Sequence, residues 1–137
     1  MKVNRSEIRV HWGDCDPANI VFYPNYFKWF DQGTWDLFAS VGFDMTTFFE
    51  DEGILGTPIL DAGARFLRPS RRRDTIVVES KITEWGRSTF RVEHVIFNGD
   101  DRAVEGYEVH GWVVADPEAP KGLRAVPVPD HVKARFE

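Results

Sequence analysis

Apolar and polar residues alternate over residues 6–12, with Ile8, Val10 and Trp12 on one side and Glu7, Arg9 and His11 on the other, the period of a half-buried strand. The period then lengthens. Residues 24–41 carry Phe27, Phe30, Leu37, Phe38 and Val41 on one side, with Tyr26, Trp29 and Trp35 spreading the apolar surface further. This reads as a buried helix about 27 Å long. Pro24 suits its first position and Gly42 the position just past its end. Gly33 costs such a helix about 1 kcal/mol relative to alanine, which suggests another backbone passing close. Asp31 in its middle needs a partner or access to water.

Residues 43–53 form a short helical or irregular cover with an acidic end at Glu50, Asp51 and Glu52. From Thr57 onward, alternation and breakers predict four long strands over 58–67, 75–85, 88–97 and 103–114. Gly86 and the Asn98-Gly99-Asp100-Asp101 cluster mark tight connections. A loop over 116–122 and a short edge segment over 123–128, limited by Pro127 and Pro129, end the pattern. Ile76, Val78, Ile82, Phe90, Val92 and Val109 are assigned to core or sheet packing. One strand, one long buried helix and four or five antiparallel strands make an α+β fold in which the sheet wraps the helix.

At 137 residues and 42% hydrophobic content the chain is long enough for one domain, 1–137, with little room for a second. No N-terminal apolar run resembles a signal peptide, and no stretch approaches the roughly 20 apolar residues of a membrane span, so a cytoplasmic location is expected. The single cysteine allows no internal disulfide. A net charge of -5 argues against nucleic-acid binding, so any anionic ligand must be met locally. His11, His94, His110 and His131 lack the spacing of zinc ligands, and no metal or cofactor is expected. A hydratase-type site would need a histidine beside a carboxylate; His94 or His110 would qualify, yet each also reads as an ordinary polar strand position.

The chemistry concentrates between Gly13 and Tyr26. Pro17 keeps Asp16 extended, and Pro24 opens the helix, so a carboxylate lies just upstream of amides that make a partly positive anion site. Asp16 is then either a turn or capping residue or a catalytic carboxylate facing an oxyanion site. Asp14 is read as structural. Cys15 would need a positive partner that the sequence does not reveal, and reads as a small buried hydrophobe.

Gly13-Asp14-Cys15-Asp16-Pro17, Ile20-Val21, Tyr23-Pro24-Asn25-Tyr26, Trp29 and Asp31 together resemble the opening of the hotdog-fold 4-hydroxybenzoyl-CoA thioesterases that carry an aspartate before the central helix. The resemblance continues through residues 53–59, Glu84-Trp85, Leu123-Arg124-Ala125 and Val128-Pro129. Asn19 departs from it, standing where glycine is expected. Asn tolerates left-handed backbone better than most residues.

The resemblance implies a hotdog fold, an acyl-CoA substrate and a homo-oligomer, a tetramer built as a dimer of dimers, with sites between subunits. It implies Asp16 as the catalytic carboxylate, the Tyr23 backbone amide at the carbonyl oxygen, and Pro24, Trp29 and Asp31 around the acyl group. Asp31 matches the aspartate that receives a 4-hydroxyl, and its rise of about 10 Å beyond Pro24 suits a benzoyl group. Arg87, Ser88, Lys121 and Arg124 are the residues matched to coenzyme A, whose phosphates suit guanidinium forks. Arg71, Arg72 and Arg73 read as solubilising. Two rival readings remain: a thioesterase for another acyl-CoA, hydroxynaphthoyl or short aliphatic, and a non-catalytic acyl-CoA-binding protein.

Overall fold

The computed structural model describes all 137 residues. In chain order the elements are β1 (Val3–Arg9), a 3-10 turn (Trp12–Asp14), α1 (Pro24–Ser40), α2 (Phe48–Glu52), β2 (Ile59–Phe66), β3 (Thr75–Trp85), β4 (Thr89–Asn98), β5 (Asp101–Gly111), β6 (Val113–Ala115), β7 (Leu123–Ala125) and α3 (Asp130–Ala134). Five strands form one antiparallel sheet in the order β1-β3-β4-β5-β2, and β6 and β7 form a separate ribbon. The α+β reading holds: one long helix lies across the sheet. No helix is long and apolar enough to cross a membrane.

Three expectations need correction. Trp12 leaves the strand and is 75% exposed, because β1 stops at Arg9 and Asp14 draws the chain into the 3-10 turn by accepting the His11 N–H through Oδ2 at 2.9 Å. The strand expected over 103–114 breaks at Trp112. There the chain passes from the sheet into the ribbon, so the segment expected at an edge pairs β6 instead. An element not expected from the sequence is α3, a single turn too short to show a period; Val132 and Phe136 seal one end of the core from it.

The third correction concerns strand parity. Ala103 is left without a partner where β4 pairs β5, since Ile96 faces Val104 and Phe97 faces Arg102. An extra residue inverts the alternation that follows. Val109 therefore points outward and half-exposed, while Glu108 and His110 point under the helix, at 4% and 1% exposure. The other strand positions assigned to the core, Ile76, Val78, Ile82, Phe90 and Val92, are buried as expected.

The core has two apolar parts. At the start of α1, Tyr26, Trp29 and Phe30 pack with Val10, Val21, Ile76, Ile96 and Val104. At its end, Leu37 and Phe38 pack with Phe48, Phe90, Trp112 and Phe136. Between them a polar row crosses the inner face of the sheet: Ser80 on β3, His94 opposite it on β4, and Glu108 on β5. Thr34 meets this row from the helix. Gly33 lies beside it because a Cβ there would stand 2.6 Å from Ser80 Oγ and 3.0 Å from Val78, so side chains of β3, rather than a backbone, demand the glycine.

Candidate active site

The loop between the 3-10 turn and α1 is closed on itself. Asp16 N–H donates to the Ile20 carbonyl at 2.9 Å, and the Asp16 carbonyl accepts the Asn19 N–H at 2.9 Å. This geometry requires a left-handed residue, and Asn19 supplies it at φ 62°, so the departure from glycine keeps the backbone shape. Val21 N–H donates to Ser70, and Ile20 bridges Arg71, which fastens the loop to the segment before β3. The Asp14 carbonyl accepts both Phe22 N–H at 2.8 Å and Asn25 Nδ2 at 2.9 Å, joining the loop to the first turn of α1.

Asp16 is half-buried. One carboxylate oxygen accepts the Ala18 N–H at 2.8 Å, which makes it a turn residue, while the other takes no protein partner. The side chain borders a cavity of about 620 Å³ with Trp12, Cys15, Asn19 and Arg72. Tyr23, the residue before Pro24, borders a neighbouring groove of about 300 Å³ with Ile20, Tyr26, Phe66 and Leu67. The two residues lie seven apart along the chain and border different cavities in the protomer.

The helix mouth is less open than the sequence suggested. Asn25 N–H bonds back to Phe22 at 2.9 Å and Tyr26 N–H to Tyr23 at 3.1 Å, so these first-turn amides are already used. Pro24 has none to offer. The Tyr23 N–H has no acceptor within the chain and remains a free donor at the helix start.

Asp31 sits two turns into α1 on a flank that solvent reaches. Its carboxyl is held above the usual aspartate value by partial burial first and by the Glu108 carboxylate second; His110, the Trp35 side chain and His94 oppose the rise. Trp29 is a core residue, 5% exposed and edge-on to Tyr26, so the structure does not place it with Asp31 on an open surface.

Arg87 and Ser88 form the β3–β4 turn, which is joined to the last segment where Val128 N–H donates to the Arg87 carbonyl at 2.9 Å. Arg124 lies on β7, with Nε 3.2 Å from Asp116, and Lys121 is exposed in the loop before it. These four share one end of the sheet. The Asp16 loop lies at the other end, beside the segment of Ser70 that Asn98 holds at the β4–β5 turn. The ten residues of β4 separate the ends by about 30 Å.

Sequence reasoning missed Glu108, Thr34 and Ser80. Glu108 is held far below the usual glutamate value, at about 2: burial pushes it up, but hydrogen bonds from His110 and His94, the charge of His94 and the Thr34 hydroxyl together outweigh that. No local signal in the sequence marks it, because the bulge at Ala103 that turns it inward is set by the pairing of β5 with β4.

Comparison with known proteins supplies the family. Residues 10–136 match the model of the thioesterase-like superfamily. The chain is 34% identical to the 4-hydroxybenzoyl-CoA thioesterase of Pseudomonas sp. (strain CBS-3) over 127 residues, covering 88% of each chain. It is 29% identical to the 1,4-dihydroxy-2-naphthoyl-CoA hydrolase of Thermosynechococcus vestitus over 126 residues, covering 91% of this chain and 82% of that one. A crystal structure of a 4-hydroxybenzoyl-CoA thioesterase variant bound to 4-hydroxybenzoyl-CoA superimposes with a TM-score of 0.90 at 28% identity, covering 100% of both chains. A gentisyl-coenzyme A thioesterase superimposes at 0.82 with 30% identity, covering 97% of this chain and 98% of that one. With its sheet wrapped on one long helix and a sequence matched over nearly its whole length, the chain belongs to the hotdog-fold thioesterase-like superfamily and is a thioester hydrolase.

Proposed function

We propose that the protein hydrolyses an aromatic acyl-CoA, 4-hydroxybenzoyl-CoA, to 4-hydroxybenzoate and coenzyme A. The observation that carries this reading is the loop that fixes Asp16 with one free carboxylate oxygen next to a helix start where the Tyr23 N–H is unpaired. A thioester needs little more. Its thiolate leaves readily, so an enzyme must polarise the carbonyl and present a base or nucleophile. In this reading the Tyr23 amide donates to the carbonyl oxygen as negative charge builds there. Asp16 attacks the carbonyl carbon to give a mixed anhydride, or removes a proton from the attacking water; both routes use the same free oxygen. Pro24 shapes the start of the pocket, and Asp31 accepts the 4-hydroxyl of the ring. No metal or cofactor enters either route.

The assembled site lies between subunits. The outer edge of β2 is unpaired, and Ile59, Leu60, Phe66 and Leu67 along and just past it are 46–60% exposed. An apolar open edge favours pairing with a second strand. Antiparallel pairing of two β2 edges turns the partner end for end, which sets its Arg87, Ser88, Lys121 and Arg124 end toward the Asp16 end of the first protomer. Basic residues at the far end of the sheet from Asp16 in one chain then meet the phosphates of a coenzyme A whose thioester lies at Asp16. A homodimer is the minimal unit, and a dimer of dimers is the expected assembly.

The test is thiol release from 4-hydroxybenzoyl-CoA, benzoyl-CoA, a hydroxynaphthoyl-CoA, a phenylacetyl-CoA and a short aliphatic acyl-CoA. Preference for the 4-hydroxybenzoyl ester supports the proposal. Faster turnover of the hydroxynaphthoyl ester moves the substrate while keeping the chemistry, and CoA-ester binding with no thiol release overturns it in favour of a binding protein.

A further inference from the structure

The polar row under α1 is more elaborate than packing requires. Glu108 Oε1 accepts the Thr34 hydroxyl at 2.7 Å and His94 Nε2–H at 2.8 Å, and His110 Nε2 stands 3.4 Å away. Each ring is held on its other side, His94 Nδ1 by the Ser80 hydroxyl at 2.8 Å and His110 Nδ1 by the Thr57 carbonyl at 3.1 Å. Phe30 lies flat on His94 and Phe90 flat on His110, each with ring centres 4.7 Å apart. All the contacts converge on one oxygen. Glu108 Oε2 takes no hydrogen bond from the chain and keeps what solvent contact the residue has, at 4% exposure.

An ionised carboxylate placed this deep in a core costs stability that an apolar side chain would not. Its position gives it a use. Thr34, which it tethers, lies three residues after Asp31, on the neighbouring turn of the same helix face. We propose that Glu108 is a positioning residue for substrate recognition: through Oε1 and Thr34 it fixes the helical turn bearing Asp31, and through its charge it makes Asp31 a stronger acceptor for the substrate's ring hydroxyl. This rests on the role of Asp31 given under Proposed function. The charge effect has a physical basis, since a carboxylate made more basic by a negative neighbour is better matched to a phenol of pKa near 10. The groups whose charge or hydrogen bonding acts on the Asp31 carboxyl are Glu108 and His110 from β5, His94 from β4 and Trp35 from its own helix, and Glu108 is the negative one.

The experiment measures kcat and KM for 4-hydroxybenzoyl-CoA and benzoyl-CoA from pH 4 to 8 in the wild type, Glu108→Gln and Thr34→Val. In Glu108→Gln the preference for the hydroxylated ester falls about tenfold, the loss lies in KM, and the acid midpoint of KM for that ester moves to lower pH. In Thr34→Val, which keeps the charge but removes the tether, the preference falls while the midpoint stays. Equal losses on both esters with an unmoved midpoint in Glu108→Gln mean a merely structural carboxylate and overturn the proposal. If Glu108→Gln does not fold, an unchanged preference in Thr34→Val overturns it instead. A wild type with no preference for the hydroxyl overturns the Asp31 reading along with it, whereas a preference that survives in Glu108→Gln overturns the role of Glu108 alone.

Discussion

Gly106 on β5 lies directly beneath the ring of Phe30 on α1, so close that a Cβ at this position would overlap Phe30 and crowd the Gly63 carbonyl at 2.8 Å. The contact sets how near the helix comes to the sheet, and Phe30 in turn lies flat on His94. Gly106→Ala is expected to destabilise the fold by about 1–3 kcal/mol through overpacking. Urea denaturation checks it, and an unchanged midpoint would show that β5 yields there.

Asp16→Asn keeps the turn, because the Asn side-chain oxygen still accepts the Ala18 N–H. It removes the charge and most of the nucleophilicity. Turnover of 4-hydroxybenzoyl-CoA should fall by about 10³-fold with the thermal midpoint nearly unmoved. Near-normal turnover in this variant excludes Asp16 as base or nucleophile.

Asp31→Ala removes the acceptor proposed for the ring hydroxyl, and a hydrogen bond to a charged group contributes about 1.5–3 kcal/mol. The ratio of kcat/KM for 4-hydroxybenzoyl-CoA over benzoyl-CoA should drop by roughly 10–100-fold, with benzoyl-CoA hydrolysis persisting. The raised value of Asp31 means that the fold disfavours its ionised form. Stability at neutral pH should therefore not fall in this variant, and differential scanning calorimetry tests that half of the statement.

Glu108 makes stability depend on acid. Its value in the fold is about 2, below the 4.5 of an unstrained glutamate, so its ionised form is the one the fold holds. The stabilisation is fully present above pH 4.5 and is lost as pH falls toward 2, amounting to roughly 3 kcal/mol across the window. Chemical denaturation at stepped pH should show this loss in the wild type and a flatter profile in Glu108→Gln.

Leu60 is 60% exposed on the open edge strand. Leu60→Arg places a charge where a partner strand would pack, and should leave the protein monomeric in sedimentation velocity and inactive if, as proposed, each site draws residues from two subunits. A monomeric wild type with full activity would remove the intersubunit site.

The architecture was legible from periodicity. The span of α1 follows from its apolar faces between Pro24 and Gly42, and β3 from its alternation as far as Ile82, because both elements bury a face whose spacing repeats in the chain. The Asp16 loop was legible too, since Pro17, Asn19 and Pro24 constrain the backbone locally whatever surrounds them. What sequence could not reach was everything that depends on register between distant strands. One unpaired residue, Ala103, inverts the faces of β5, so Glu108 and His110 turn inward and Val109 outward, and only the pairing with β4 decides it. The tertiary structure likewise closes the first-turn amides, leaves the Tyr23 N–H as the donor, buries Trp29, and sets the basic residues a sheet's length from Asp16. Local sequence determines which way a chain bends. Which side chains then meet, and at what charge, is settled by contacts between segments tens of residues apart.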